Sequence, residues 1–160
     1  MRLERVTNSR TNAKFIKVLL DNAAGTLTDI SAYVSSVGTV GLTYDTVDVT
    51  AFSDGVKNVT IGQPSAPLQL SGPVDTVIIT QLTGYAANGG LTAGGGLSLD
   101  IRFGIRHAWE AGEPQFGITG SASVGYLLTS FTIDSGGMTW TATFEVMGAT
   151  APAFGTAAES

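Results

Sequence analysis

The chain has 160 residues, about one domain's worth, of which 43% are apolar and only 13% charged. It holds 21 Gly, 21 Thr and 13 Ser, no Cys, and a net charge of −5. This composition excludes a disordered chain, a helical bundle, a basic nucleic-acid module, a disulfide-stapled fold and a thiolate metal site. A surface so poor in charge is either a well-hydrated Thr-rich β surface or one covered by other subunits.

Residues 1–20 carry Arg2, Arg5, Arg10, Lys14 and Lys17 against Glu4, a net of +4, which leaves −9 on the rest. Such an arm is a solvated terminus, or it seeks an acidic partner such as another copy; nucleic acid would be held weakly. Residues 1–10 lack the apolar centre of a signal peptide, and the longest aliphatic runs are three residues. A soluble chain with no membrane partner is expected.

The dominant hydrophobic period is two. Residues 15–20 predict a strand with Ile16, Val18 and Leu20 inward and Lys17 outward. A turn from Asp21 to Gly25 makes a hairpin with a strand over 28–34. Residues 44–51 begin as a strand and dissolve into a polar stretch that still carries Phe52, Val56, Val59 and Ile61. Apolar residues on such an excursion need cover, from their own domain or a neighbour. A strand follows over 66–71.

Residues 74–85 allow one helix, with Pro73 at its first position and Asp75 near the positive end of its dipole, although Val-Ile-Ile-Thr prefers strand. Glycines at 89–90 and 94–96 bracket a loop. In residues 97–106 every odd position is apolar, and every even one is polar or Gly. A loop over 107–114 leads to a strand starting at Gln115. Leu127, Thr129, Phe131 and Ile133 define one face of a further strand. A turn at 134–137 precedes the last strand, where Met138, Trp140, Ala142, Phe144 and Val146 point inward. Residues 149–160 have composition without pattern and should be extended or mobile. The whole reads as one mainly β domain of two sheets, with one helix at most.

No enzyme constellation emerges. His107 is the one histidine, which removes any His-pair metal site, and no Gly-x-Ser-x-Gly elbow accompanies it. Glu110 and Glu113 read as solvated loop charges, and Gly94 to Gly96 lack the Lys of a phosphate loop. Asp45, Asp48 and Asp54 lack calcium-loop spacing. No catalytic residue, metal or cofactor is expected.

Residues 17–31 (KVLLDNAAGTLTDIS), then Ala32-Tyr33-Val34, then residues 48–55 (DVTAFSDG), resemble the tail tube (major tail) proteins of long-tailed, non-contractile bacteriophages. Leu68 to Gly72, a short segment with Asp75, a long hairpin and a last strand from Thr139 continue the same order. The resemblance implies a mainly β fold of two packed antiparallel sheets, sandwich- or barrel-like, with one short flanking α-helix. It implies hexameric rings that stack into a hollow tube delivering DNA, assembled in the bacterial cytoplasm and resident in the virion tail. Its partners would be further copies, tape-measure, tail-terminator and baseplate or tip proteins, and DNA in transit.

The resemblance also divides residues 1–160, a single domain, into an N-terminal arm (1–13), an inter-ring loop (43–63) and a C-terminal tail (149–160). Inter-ring contacts would come from Arg2, Arg5, Arg10, Asp48, Phe52, Asp54, Lys57 and Val59. An acidic channel would let phosphates slide. Its wall would be the polar side of residues 97–106 and of the last strand: Asp100, Arg102, Thr141, Thr143 and Glu145. Arg102 and Arg106 should then be paired with acids or turned to an interface. Alternatives are a tail terminator or head–tail joining protein of the same fold, or a β-sandwich carbohydrate-binding module.

Overall fold

The computed structural model describes residues 15–85, 89–90, 94–104, 110 and 112–155. Arg2, Arg5, Arg10, Lys14, Arg106, His107 and residues 156–160 lie outside them, and with them the whole N-terminal arm. The described elements are strands β1 (Ile16–Asp21), β2 (Leu27–Asp29), β3 (Ser36–Val37), β4 (Thr43–Asp48), β5 (Val59–Ser65) and β6 (Leu68–Pro73), then helix α1 (Thr76–Thr83). Strands β7 (Leu99–Phe103), β8 (Gln115–Ile118), β9 (Gly125–Asp134), β10 (Thr139–Met147) and β11 (Ala153–Gly155) follow.

Every pairing is antiparallel. A five-stranded sheet runs β11-β8-β7-β1-β2, a four-stranded sheet runs β3-β6-β10-β9, and β4 and β5 form a ribbon of two. The expected mainly β fold with two sheets and one helix is therefore what the chain adopts.

One apolar core joins the two larger sheets. Val18, Leu20, Leu99 and Ile101 come from the first, and Leu68, Leu70, Tyr126, Trp140, Ala142 and Phe144 from the second. The period-two reading of β1, β7 and β10 thus selects the right inward residues. Met138 is an exception: it is 58% exposed, with φ +50 in the turn after Asp134. Gly72 lets the sheets close, since a Cβ there would sit 2.0 Å from the Tyr33 carbonyl oxygen.

The predicted strand over 127–133 needs a correction. Thr143 pairs with Ser130 but Phe144 pairs with Leu128, so Thr129 is an extra residue on β9. This bulge switches the inward face. Phe131 packs on the core beyond it and Ile133, opposite Trp140, shares that side but is 47% exposed, whereas Tyr126 and Leu128 take that side before it.

The helix starts later than expected. Pro73 ends β6, and Asp75 is the N-cap, its Oδ1 accepting from the Val77 N–H at 2.8 Å. Ile78 and Leu82, four residues apart, bury one face of α1. The Tyr85 hydroxyl donates to the Asp21 carbonyl, while the Asp21 carboxylate accepts from the Ser98 N–H at 2.8 Å. Helix, hairpin and β7 are thereby tied at one point. Burial pushes the Tyr85 phenol up to about 12, so this donor keeps its proton throughout the working range.

The 28–34 segment is a short strand followed by a single 3-10 turn over Ser31–Tyr33, because the Asp29 carboxylate captures the Ser31 N–H and hydroxyl. Within the described part of the C-terminal tail, Ala153–Gly155 pair with β8, which the composition did not imply.

Replacing Asp75 by Ala removes the cap of α1. The expected loss is about 1 kcal/mol, read by urea unfolding, with the far-UV spectrum unchanged.

Candidate functional site

Three surfaces carry the residues that the sequence singles out. The first is the β4–β5 ribbon. Each residue of β4 is exposed, and so is all of β5 except Gly62. The ribbon hydrogen-bonds to neither larger sheet. Val47, Val49, Val56, Val59 and Ile61 are 48–78% exposed, and Phe52 is fully exposed. The excursion therefore does not fold back on its own domain. It is also a hairpin where the sequence suggested a loop, with an extra residue in β5 opposite Asp45.

Polar residues build its tip. The Asp48 Oδ1 accepts from the Thr50 N–H at 2.9 Å, and the Thr50 hydroxyl accepts from the Asn58 N–H at 2.8 Å. The Thr50 hydrogen bonds hold the Asp48 carboxyl below its usual range. The Asp54 Oδ2 accepts from the Ala51 N–H at 2.8 Å, and the Asp54 N–H returns to the Ala51 carbonyl at 2.9 Å. Lys57 lies 3.8 Å from Asp48. Of the expected contact residues, Asp48 and Asp54 thus fix the turn, and Phe52 is what the turn presents.

The second surface is the outer face of the four-stranded sheet. Alternation places Thr139, Thr141, Thr143 and Glu145 of β10 opposite the core. Thr141 is flanked by Ser71 and Thr132, Thr143 by Gln69 and Ser130, and Thr139 by Asp134. Strands β3, β6, β9 and β10 contain no Lys or Arg at all. This face is hydroxyl-rich and acidic.

The third is the outer side of β7, and here the expected channel wall does not form. Asp100 and Arg102 are on the five-stranded sheet, behind the core from Thr141, Thr143 and Glu145, so the five residues make no common wall. Both are also buried, at 1% and 8% exposure. The Arg102 Nε donates to the Asp100 Oδ2 at 2.6 Å. The carboxylate lies across Gly117, where a Cβ would stand 3.0 Å from Oδ1. The Asp100 Oδ1, and the Oε1 of Gln115 opposite Arg102, have no hydrogen-bond partner among the described residues. Burial raises the Asp100 carboxyl, and Arg102 offsets that only in part.

A groove that sequence reading missed opens at the root of the ribbon. Its volume is about 210 Å³, and Leu42, Pro64, Ala66, Val146, Ala151 and Pro152 line it. Its only sequence signal is the run of small residues after Gly148, which carries no period. Glu110 and Glu113 form a local loop cap, the Glu110 N–H donating to the Glu113 Oε2 at 2.9 Å. Among the described residues no group of three His, Asp or Glu could hold a metal, and no helix is long and apolar enough to cross a membrane.

No protein-family model matches the sequence, and no curated protein matches it. Solved structures do resemble the fold. A chain of the sheath–tube complex of an extracellular contractile injection system (PVC), in the extended state, superposes with TM-score 0.58 at 16% identity, covering 96% of this chain and 93% of that one. The fold is one found in contractile injection systems. The sheath/tube terminator of PVC gives TM-score 0.54 at 16% identity over 87% of this chain and 93% of that one. The baseplate of the anti-feeding prophage gives 0.50 at 13% identity over 96% and 97%.

Asp100 is predicted to make stability pH-dependent. Its folded pKa is raised, so its contribution weakens as pH climbs from the ordinary 3.8 through the folded value. Arg102→Met leaves a lone buried carboxylate and should cost about 3–5 kcal/mol at pH 7. At pH 4 Asp100 carries more of its proton, and the urea-unfolding gap from wild type should shrink. A gap independent of pH would contradict this.

Proposed function

We propose that the chain is a structural subunit of a phage-tail-like tube, forming rings that stack through the β4–β5 ribbon. The ribbon is the observation that carries the reading. A two-stranded hairpin is marginal alone in water, and this one leads with exposed Val47, Val49, Phe52 and Ile61. Its cover must come from another molecule, and further copies are the partner that the sequence resemblance implies. The whole-chain likeness to components of a sheath–tube complex supports the same reading.

The reading extends to tail tubes in general. The sequence resemblance pointed to non-contractile phages, whereas the structural neighbours belong to contractile systems, so the restriction to non-contractile tails is withdrawn. Tape-measure, terminator and baseplate proteins are the heterologous partners that such a tube requires.

The channel wall is assigned to the outer face of the four-stranded sheet and not to β7. Thr132, Thr141 and Thr143 offer hydroxyls, and Asp134 and Glu145 repel phosphate. A face without Lys or Arg gives DNA no counter-ion to exchange, so passage leaves nothing bound. Asp100 and Arg102 keep a structural role as a buried pair.

Negative-stain images of the purified, concentrated protein should show tubes of uniform width. Phe52→Asp should abolish them while shifting unfolding stability by less than about 0.5 kcal/mol, because Phe52 is fully exposed. A chain that stays monomeric at every concentration, or normal tubes from Phe52→Asp, would overturn the proposal. Single rings alone would support the terminator reading.

A further inference from the structure

We infer that the groove at the ribbon's root is the receptor for the ribbon's apex in the next copy, with the Phe52 ring as the inserted group. This rests on the tube reading and names its contact.

Four observations converge on a second copy as the occupant. First, size: an enclosed apolar cavity of about 150 Å³ admits a benzene ring, and this open groove, lined by Gln63 and Thr150 as well as by apolar residues, offers about 210 Å³. Second, charge. The groove's lining has no ionised side chain, and the apex Ala51-Phe52-Ser53 has none, so no charge is stripped of water at the centre of the contact. At the edge, Lys57 is the one cation of residues 49–58 and is exposed beside Asp48 of its own chain, and exposed Glu145 borders the adjoining hollow with Pro64, Ala66 and Val146. An uncharged centre inside a polar rim is the usual anatomy of a specific interface.

Third, an aromatic lip. Phe154 of β11 is 59% exposed, and its ring lies 3.8 Å from the position a Cβ would take at Gly41, next to Leu42 of the groove. It already packs on Phe116 at 4.7 Å between ring centroids, so its position is fixed before any partner arrives. The Phe154 ring does not line the groove itself but stands beside its Leu42 end, where it offers an aromatic face to an arriving apolar group.

Fourth, geometry. Strand β4, Thr43–Asp48, spans about 20 Å at 3.3 Å per residue, and the turn that carries Phe52 lies beyond it, so the apex is far from the root. One chain cannot satisfy its own groove through a straight ribbon. A knob at one end and a socket at the other make a heterologous contact, which builds an open filament when its rotation does not close into a ring. The ribbon's length would then set the rise from one copy to the next.

The absence of native cysteine makes a direct test available. Ser53→Cys and Thr150→Cys, combined in one chain, put thiols beside the apex and on the groove's lip while keeping Phe52. Both positions are exposed, and Ala149→Cys is the substitute on the groove side should Thr150→Cys fold poorly. Mild oxidation under assembly conditions should give a ladder of covalent oligomers on a non-reducing gel. Adding Phe52→Ala should suppress it at least tenfold, and a Ser53→Cys/Ser135→Cys control should give none. Tubes without a ladder overturn the groove contact and leave the tube reading standing. A ladder without tubes supports the contact and overturns the tube. Neither tubes nor ladder overturns both.

Discussion

A two-stranded ribbon has no inside. One face of a sheet can be buried only against another layer, and β4–β5 pairs with neither larger sheet and stays exposed among the described residues. Yet the ribbon carries valines, an isoleucine and a phenylalanine, and Asp48, Thr50 and Asp54 spend their hydrogen-bonding capacity holding its tip in one shape. A flexible, polar loop would solve the solubility problem more simply. A shaped apolar tip is explained by something that covers it.

The rest of the chain is a platform for that tip. Two sheets share one core, and α1 is pinned to the β1–β2 hairpin through Tyr85 and Asp21. The buried Asp100–Arg102 pair lies on the other side of the five-stranded sheet from that core. The low charge content follows from this division of labour. The four-stranded sheet presents hydroxyls in place of charges, and the outer side of the five-stranded sheet is covered at Leu19, Asp100, Arg102 and Gln115.

Much of this was readable from period two. The inward sides of β1, β7 and β10 needed only the alternation of apolar residues. Pairings between distant segments were not readable. That Asp100 is buried depends on Gly117, seventeen positions later, leaving room for a carboxylate. The face switch in β9 depends on one extra residue, Thr129, opposite β10. Strand β5 hid behind Gly62 and Pro64, which a lone hairpin tolerates and a central strand would not. The candidate surface divides the same way: Phe52 stood out as an apolar residue in a polar stretch, whereas the groove is assembled from residues 42, 63–66 and 146–152, which no local pattern connects.

The central claim is that another copy covers the ribbon. Amide hydrogen exchange, measured peptide by peptide in dilute protein and in concentrated assemblies, addresses it directly. The account predicts that residues 43–65 exchange fast when dilute and become strongly protected on assembly, while the β1, β7 and β10 amides are slow in both states. Assemblies in which residues 43–65 exchange as fast as in the dilute chain would contradict it.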